Sequence, residues 1–153
     1  MHVLRAERGF IIVGQETDGT VSPIDLGMDW IISKKKKDFI GKRSLERASM
    51  KQNDRKELVG LLSDDPNTVI PEGAHAIDEK DLELEEKNIL GHVTSSYFSS
   101  NCKRSIAMAL IKNGRARKGD KLVVPLLNGD KIKVKIVNPV SYTHLTLPTS
   151  DLV

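Results

Sequence analysis

Alternating apolar and charged positions predict one strand near the end of the chain. Over residues 131–136 lysine alternates with isoleucine or valine, a period of two that puts aliphatic side chains on one face of a strand and ammonium groups on the other. An apolar stretch at 122–127 precedes it, and Asn128-Gly129 tolerates the positive φ values of a tight turn. The pattern therefore predicts a β-hairpin, with Pro125 at an edge or a bulge because it has no N–H to donate.

Four apolar stretches upstream also have the length of short strands. They cover residues 57–62, 74–77, 88–95 and 105–111, with turn-forming sequences at 71–73 and 113–114. Six short strands at this spacing are typical of a small antiparallel barrel or sandwich. Residues 78–87 are almost all charged, which predicts a solvated, mobile hairpin tip.

The first 55 residues lack this regular spacing. Ser22-Pro23 predicts a helix cap and a single helical turn over 24–27. Residues 30–32 are large and apolar, which predicts a buried strand, and a helix is predicted to open at 38–41 and to end before Asn53.

The chain is therefore predicted to be α+β and mostly β, in two regions and a tail. Residues 1–55 form the first region and residues 56–140 the barrel or sandwich. No turn-forming sequence links residues 141–153 to the preceding strand. Residues 141–150 also resemble a peptide that is produced when sequencing-adapter DNA is translated. We expect this tail to be non-native.

Composition narrows the class of protein. The chain has 153 residues, of which 39% are hydrophobic and 4% aromatic, so the core must be built from Ile, Leu and Val. A net charge of +3 with acids and bases mixed gives no sign of nucleic-acid binding. The apolar runs are far shorter than the roughly 20 residues of a membrane-spanning helix. Cys102 cannot form an internal disulfide, which favours a reducing, cytoplasmic setting.

The common catalytic and metal-binding motifs are missing from the sequence. It has no glycine-rich nucleotide loop, no Cys-x-x-Cys and no His-Glu-x-x-His. The four histidines are scattered, and Cys102 has no His or Asp beside it that would activate the thiol. No residue is therefore assigned a catalytic or metal-binding role.

Two charged features are candidates for ligand binding. The four lysines at 34–37 are either a solvated surface run or an anion clamp for a carboxylate-rich ligand. Glu7 lies between Arg5 and Arg8. It is either part of a surface ion pair worth about 0–1 kcal/mol or a buried carboxylate that accepts two hydrogen bonds from an amidine-like heterocycle edge. The residue chemistry alone leaves both alternatives open.

Several stretches of the chain resemble a known family. They are residues 4–23, 25–27, Trp30 and 34–45 in the first region, and residues 91–99 and 106–110 in the second. They resemble the C-terminal half of the α subunits of heterotetrameric sarcosine oxidases, which is similar to the glycine-cleavage aminomethyltransferase, or T-protein. The resemblance implies that residues 1–55 end a folate-binding domain and that residues 56–140 form the family's terminal barrel.

The resemblance also implies a function. Such oxidases demethylate sarcosine to glycine, and this half of the subunit is thought to pass the one-carbon group to tetrahydrofolate. Glu7 aligns with the glutamate of the family's Leu-Arg-x-Glu motif, which binds the pterin ring, and Lys36 stands where the family has an arginine for the glutamate moiety of folate. Lysine keeps the charge but loses the planar fork. Partners would be folate and the other oxidase subunits; FAD, FMN and NAD would be bound outside this stretch.

Some family residues have no counterpart here. The catalytic aspartate would precede Met1, and a family tyrosine falls where the unusual tail begins, so Tyr142 is not a replacement. We therefore expect a chain truncated at both ends, with Glu7 partly exposed, weak folate affinity and no turnover by itself. The one-carbon interpretation also requires that Glu7 and the four lysines at 34–37 border the same concavity. The alternatives are a piece of an aminomethyltransferase or of a dimethylglycine dehydrogenase relative, and a noncatalytic module that docks subunits.

Overall fold

A closed barrel of six antiparallel strands forms the main body of the molecule. The computed structural model describes residues 1–84 and 87–140. The strands are β1 (Lys56–Ser63), β2 (His75–Asp78), β3 (Ile89–Ser99), β4 (Arg104–Lys112), β5 (Lys121–Pro125) and β6 (Lys131–Val137). Around the barrel their order is β1-β4-β3-β2-β5-β6, and β6 pairs with β1 to close it. All six predicted strands are confirmed, and they form a barrel rather than a sandwich.

The predicted hairpin consists of β5 and β6. The Leu126 N–H donates to the Asp130 carbonyl at 2.8 Å, the Gly129 N–H donates to the Leu126 carbonyl at 3.1 Å, and Gly129 has a φ of +90°. This is a three-residue loop that ends in a left-handed glycine. Pro125 lies at the end of β5, beyond the pairing of Val123 with β2, so its missing N–H costs no hydrogen bond to that neighbour.

The two faces of β4 are buried in different clusters. Its alanines and Ile111 point into the barrel interior, whereas Ile106, Met108 and Leu110 pack outside the barrel with Ala6. In β6 only the apolar face is buried and the lysines are exposed. The continuous apolar sequence of β4 thus reflects burial on both faces, and the alternation in β6 reflects burial on one.

Residues 1–55, here called the N-terminal segment, contain short helices joined by turns. The helices are α1 (His2–Glu7), a 3₁₀ helix at Asp29–Ile31, α2 (Lys42–Leu45) and a second 3₁₀ helix at Ala48–Met50. Residues 24–27 make a single hydrogen-bonded turn, in which the Gly27 N–H donates to the Ile24 carbonyl at 3.0 Å, and Ser22 Oγ accepts from the Asp25 N–H at 3.3 Å as the predicted cap. The predicted helix after Asp38 is reduced to the four residues of α2 and the 3₁₀ helix that follows.

The predicted buried strand at residues 30–32 is wrong. Trp30 is 76% exposed and lies in the first 3₁₀ helix. Every strand of the closed barrel already has a neighbour on each side. The Ile31 and Ile32 N–H groups bond locally, to the carbonyls of Met28 and Asp29, so this run forms a helical turn rather than a strand.

The charged stretch begins at Asp78, the last residue of β2, which is paired with Arg117 at 2.5 Å, and it continues as a 3₁₀ helix over Glu79–Asp81. Its residues 85–86 lie outside the described residues, as does the predicted non-native tail at 141–153. Within residues 1–84 and 87–140, no helix has both the length and the apolar character needed to cross a membrane.

Candidate functional site

A bulge in β3 provides the attachment point for the N-terminal segment. The register between β3 and β4 shifts at Thr94, between Val93 and Ser95. A bulge leaves one residue outside the regular ladder, and the Thr94 carbonyl accepts a hydrogen bond from Gln15 Nε2 at 2.9 Å. The irregularity in the barrel thus gives the segment a backbone acceptor.

Arg5 and Glu16 form an ion pair beside this bulge. Arg5 Nη1 lies 3.1 Å from Glu16 Oε2, and Arg5 Nη2 donates to Ser95 Oγ at 2.7 Å. Glu16 is fully buried and also accepts from the Ile12 N–H at 2.7 Å and from the Ser95 hydroxyl. The Arg5 guanidinium lies 5.7 Å from the ring centre of Tyr97, a cation–π distance. These contacts enclose Glu16, so we assign it a structural role.

Glu7 is the second buried carboxylate, at the C-terminal end of α1. Ser99 Oγ donates to Glu7 Oε1 at 2.5 Å, and Asn101 Nδ2 lies 3.2 Å from Oε1 and 3.1 Å from Oε2. Both partners come from the end of β3 and the turn that follows it. Of the two arginines beside Glu7 in the sequence, Arg5 pairs with Glu16.

The predicted partial exposure of Glu7 is wrong, since the residue is only 4% exposed. The physical reason is that the barrel itself covers it through Ser99 and Asn101. Glu7 still borders a concavity of about 470 Å³, which is also lined by Leu4, Phe10 and Asn101. A carboxylate accepts through both oxygens, so this position suits a ligand with two adjacent N–H donors and an apolar ring.

Lys36 lies in a different place. It is exposed and borders a concavity of about 410 Å³ whose other walls include Ile32, Phe39 and Leu45. This concavity and the one beside Glu7 share no lining residue. The single concavity expected for Glu7 and the lysines is therefore not observed, and the strand predicted at residues 30–32, before the lysines, is not formed.

Asp25 and Arg55 form a further buried ion pair, where the N-terminal segment meets β1. Arg55 Nη2 lies 2.5 Å from Asp25 Oδ2, and the Asp25 carbonyl accepts from the Leu58 N–H at 2.9 Å. Desolvation raises the pKa of Asp25, but the hydrogen bonds from Arg55 and Ser22 together outweigh it, so the pKa is lowered below 3.8. The carboxylate is held in its charged form, which suits an anchor rather than a proton donor.

The remaining titratable groups do not form a reactive cluster. Burial, with smaller contributions from the nearby Lys56 and His75, lowers the pKa of His92, which favours the neutral imidazole. Cys102 is half-buried. Among residues 1–84 and 87–140 there is no group of three or more His, Cys, Asp or Glu side chains that could hold a metal ion.

Sequence reasoning missed the partners of Glu7. Asn101 is 94 positions away from it, and no periodicity connects positions that far apart. The available signal was limited to the Ser-Ser-Asn sequence at 99–101, a turn composition that follows a strand. It predicts the turn but gives no indication of the side chain that the turn contacts.

Comparison with known proteins agrees with this architecture. Residues 56–143 match the family described as the glycine cleavage T-protein C-terminal barrel domain. The crystal structure of the glycine cleavage system aminomethyltransferase T from Bartonella henselae superposes with a TM-score of 0.76 at 25% sequence identity. That match covers 94% of this chain and 38% of the solved one.

Sequence relatives extend the similarity into the N-terminal segment. Sarcosine oxidase subunit alpha of Corynebacterium sp. (strain P-1) is 50% identical over 137 residues, and that of Rhizobium meliloti (strain 1021) is 36% identical over 143. These matches cover 89% and 93% of this chain but 14% of each relative. An aminomethyltransferase of Thermotoga petrophila is 31% identical over 142 residues, 92% of this chain and 35% of its own length. The resemblance to sarcosine oxidase α subunits is confirmed, and the chain belongs to the glycine cleavage T-protein C-terminal barrel domain family.

Proposed function

We propose that this chain is part of a cytoplasmic sarcosine oxidase α subunit, and that it contributes to a site where a one-carbon group is passed to tetrahydrofolate. The longer protein would demethylate sarcosine oxidatively to glycine, and its FAD, FMN and NAD would be held outside these residues. The relatives named above support this assignment, although the chain spans only 14% of the sarcosine oxidase subunits that it matches.

The observation that carries the folate proposal is the position of Glu7. Its carboxylate is held by Ser99 and Asn101 at the edge of a concavity with apolar walls from Leu4 and Phe10. A pterin presents its ring N–H and its exocyclic amino group side by side, and a carboxylate matches that pair of donors. The Asn101 amide nitrogen, which spans both oxygens, makes the kind of contact that such an edge would make.

In this proposal each residue has one task. Glu7 fixes the orientation of the pterin, and Leu4 and Phe10 supply apolar surface against its ring. Lys36 attracts the anionic glutamate arm. The requirement that Glu7 and the lysines border one concavity is not met, so the pterin proposal rests on the position of Glu7 alone and the role of Lys36 is tested separately. The residue that protonates or deprotonates the one-carbon carrier is assigned to the remainder of the longer protein.

Titration with 5-formyltetrahydrofolate, a stable reduced folate, tests the proposal. We expect Glu7→Gln to weaken binding by at least tenfold, because the amide offers only one acceptor to the two donors. Glu46→Gln, which alters an exposed glutamate of the same segment, is the control and should bind like the parent chain. Equal affinities for the parent and Glu7→Gln would reject the pterin role.

Lys36 has its own test. We expect Lys36→Ala to weaken 5-formyltetrahydrofolate but to leave pterin-6-carboxylate unchanged, because the smaller compound lacks the glutamate arm. Lys36→Arg should restore or improve the affinity for the complete folate, since arginine adds the bidentate fork. If Lys36→Ala lost affinity for both compounds to the same extent, Lys36 would support the structure of the segment instead.

The partner proposal follows from the outer surface of the N-terminal segment. Trp30 is 76% exposed and borders a largely apolar concavity of about 500 Å³ together with Ile11 and Leu26, and an exposed apolar patch is typical of surfaces that another protein covers. We propose that other parts of the oxidase assembly cover this surface. Capture of the flavin-bearing β subunit by the tagged chain, and its loss in Trp30→Glu, would support a docking role.

A further inference from the structure

The Asn101 side chain contacts both carboxylate oxygens of Glu7. Its amide nitrogen is 3.2 Å from Oε1 and 3.1 Å from Oε2. A donor that is nearly equidistant from both oxygens lies close to the plane that bisects the carboxylate between them. A pterin edge that donates one hydrogen bond to each oxygen has to straddle the same plane.

The hydrogen bond from Ser99 to Glu7 lies on one side of that plane. Ser99 Oγ donates to Oε1 alone, and Ser99 is itself buried and accepts from the Cys102 N–H at 3.0 Å. Ser99 therefore belongs to the fixed part of the turn. A carboxylate has about four lone-pair positions, so the Ser99 bond is compatible with two further donors, whereas the Asn101 bond is not.

Asn101 is placed so that it can move. It is exposed, and it lies in the turn between β3 and β4, whereas Glu7 beneath it is 4% exposed. The side chain that closes over the carboxylate is thus held by its own bonds to Glu7 and faces solvent on its other side. Rotation of this side chain requires no change in the barrel ladder, because Asn101 lies outside the paired residues of β3 and β4.

We propose that Asn101 is an internal cap that competes with the pterin for Glu7. This inference rests on the proposed folate function and adds to it. The cap keeps a buried carboxylate hydrogen-bonded, which avoids the cost of an unpaired buried charge, and a ligand must displace it. The measured affinity is then lower than that of the uncapped site, because only the fraction of molecules with the cap open can bind.

Titration of the full 153-residue chain with pterin-6-carboxylate tests the cap. We expect Asn101→Ala to bind about fivefold more tightly than the parent chain, which is the size of the net contribution of one ordinary hydrogen bond. Asn53→Ala, an exposed turn asparagine before β1, where Lys56 pairs with Lys112 at the other end of β4, should leave the affinity unchanged. Glu7→Gln should abolish the binding in both the parent and the Asn101→Ala background.

A spectroscopic readout separates a displaced cap from a change in stability. The side-chain amide resonances of Asn101 should shift when pterin-6-carboxylate is added, toward the values they have in Glu7→Ala, because the amide has lost its carboxylate acceptor in both cases. If these resonances stay fixed at saturation, the cap is not displaced and the inference is wrong.

The two proposals fail in different ways. Binding that depends on Glu7 but is unchanged or weaker in Asn101→Ala would make Asn101 a support for the carboxylate; the cap would be rejected and the folate function kept. Binding that is indifferent to Glu7→Gln, or no binding by any variant, would reject both.

Discussion

The barrel and the N-terminal segment bury different kinds of side chain. Of the hydrophobic residues that are buried in the described chain, only Ala6 belongs to the segment. The buried carboxylates show the opposite distribution, because Glu7, Glu16 and Asp25 all lie in the segment. The barrel is therefore stabilised mainly by apolar burial and backbone ladders, whereas the segment is attached mainly through polar contacts.

This difference explains why the segment can carry a binding site. Hydrophobic burial is not directional, but a buried carboxylate must find donors at defined positions. Glu7 meets Ser99 and Asn101, and Glu16 meets Arg5 and Ser95. Each buried carboxylate thus fixes the position of the segment on the barrel. The positions of the residues that line the concavity beside Glu7 are fixed with it.

The largest expected effect comes from crowding the barrel backbone. A methyl group at Gly91 would lie 1.8 Å from the Leu110 carbonyl oxygen, which is backbone and cannot turn away. We expect Gly91→Ala to destabilise the chain by about 3 kcal/mol, at the upper end of overpacking effects. The measurement is urea unfolding followed by far-UV circular dichroism.

The matched control is Gly19→Ala in the N-terminal segment, where a methyl group would meet no atom within 4 Å. This variant should stay within about 0.5 kcal/mol of the parent chain. If both glycines tolerated alanine equally, the contrast between a tightly packed barrel and an open segment would be lost.

A smaller effect is expected from the ion pair that ties the segment to β1. Asp25→Asn leaves Arg55, whose side chain is 17% exposed, without its charged partner. Removal of one partner of a buried pair costs about 3–5 kcal/mol, and the partial exposure of Arg55 reduces our expectation to about 2 kcal/mol. Asp54→Asn, an exposed neighbour, should change stability by less than about 0.5 kcal/mol.

The same pair predicts a pH dependence. The pKa of Asp25 is lowered below its usual 3.8 in the folded chain, so the folded state holds the proton less tightly than the unfolded state. The stabilisation is complete above the unfolded pKa and is lost as the pH falls through the folded one. We therefore expect the stability difference between the parent and Asp25→Asn to be constant near neutral pH and to shrink below about pH 4. A difference that grew on acidification would contradict the assigned pair.

The strands of the barrel could be predicted because their signals are local. Alternation in β6, turn residues at 128–129 and the apolar run of β4 each lie within a few positions, and each was confirmed. The same kind of signal failed at Trp30, because hydrophobicity alone does not show whether an apolar run has a strand edge to join.

The site was less predictable because its contacts span the whole chain. Glu7 was chosen by resemblance, and its burial depends on Ser99 and Asn101, which are more than 90 positions away. The bulge at Thr94 that receives Gln15 has no sequence signature of its own. Such contacts follow from how the segment lies on the closed barrel, and local patterns do not contain that information.

The smallest expected effect concerns a charge pair on the barrel surface. Lys133 Nζ lies 3.0 Å from Glu79 Oε1, and both side chains are about half exposed. The hydrogen bond and charge of Glu79 raise the pKa of Lys133, but water and salt screen such pairs, which often contribute nothing measurable to stability. We expect Glu79→Gln to have the same urea midpoint as the parent chain, both at low salt and at high salt. A loss comparable to that of Asp25→Asn would mean that surface charge also stabilises the barrel, and the division between an apolar barrel and a polar-anchored segment would then have to be abandoned.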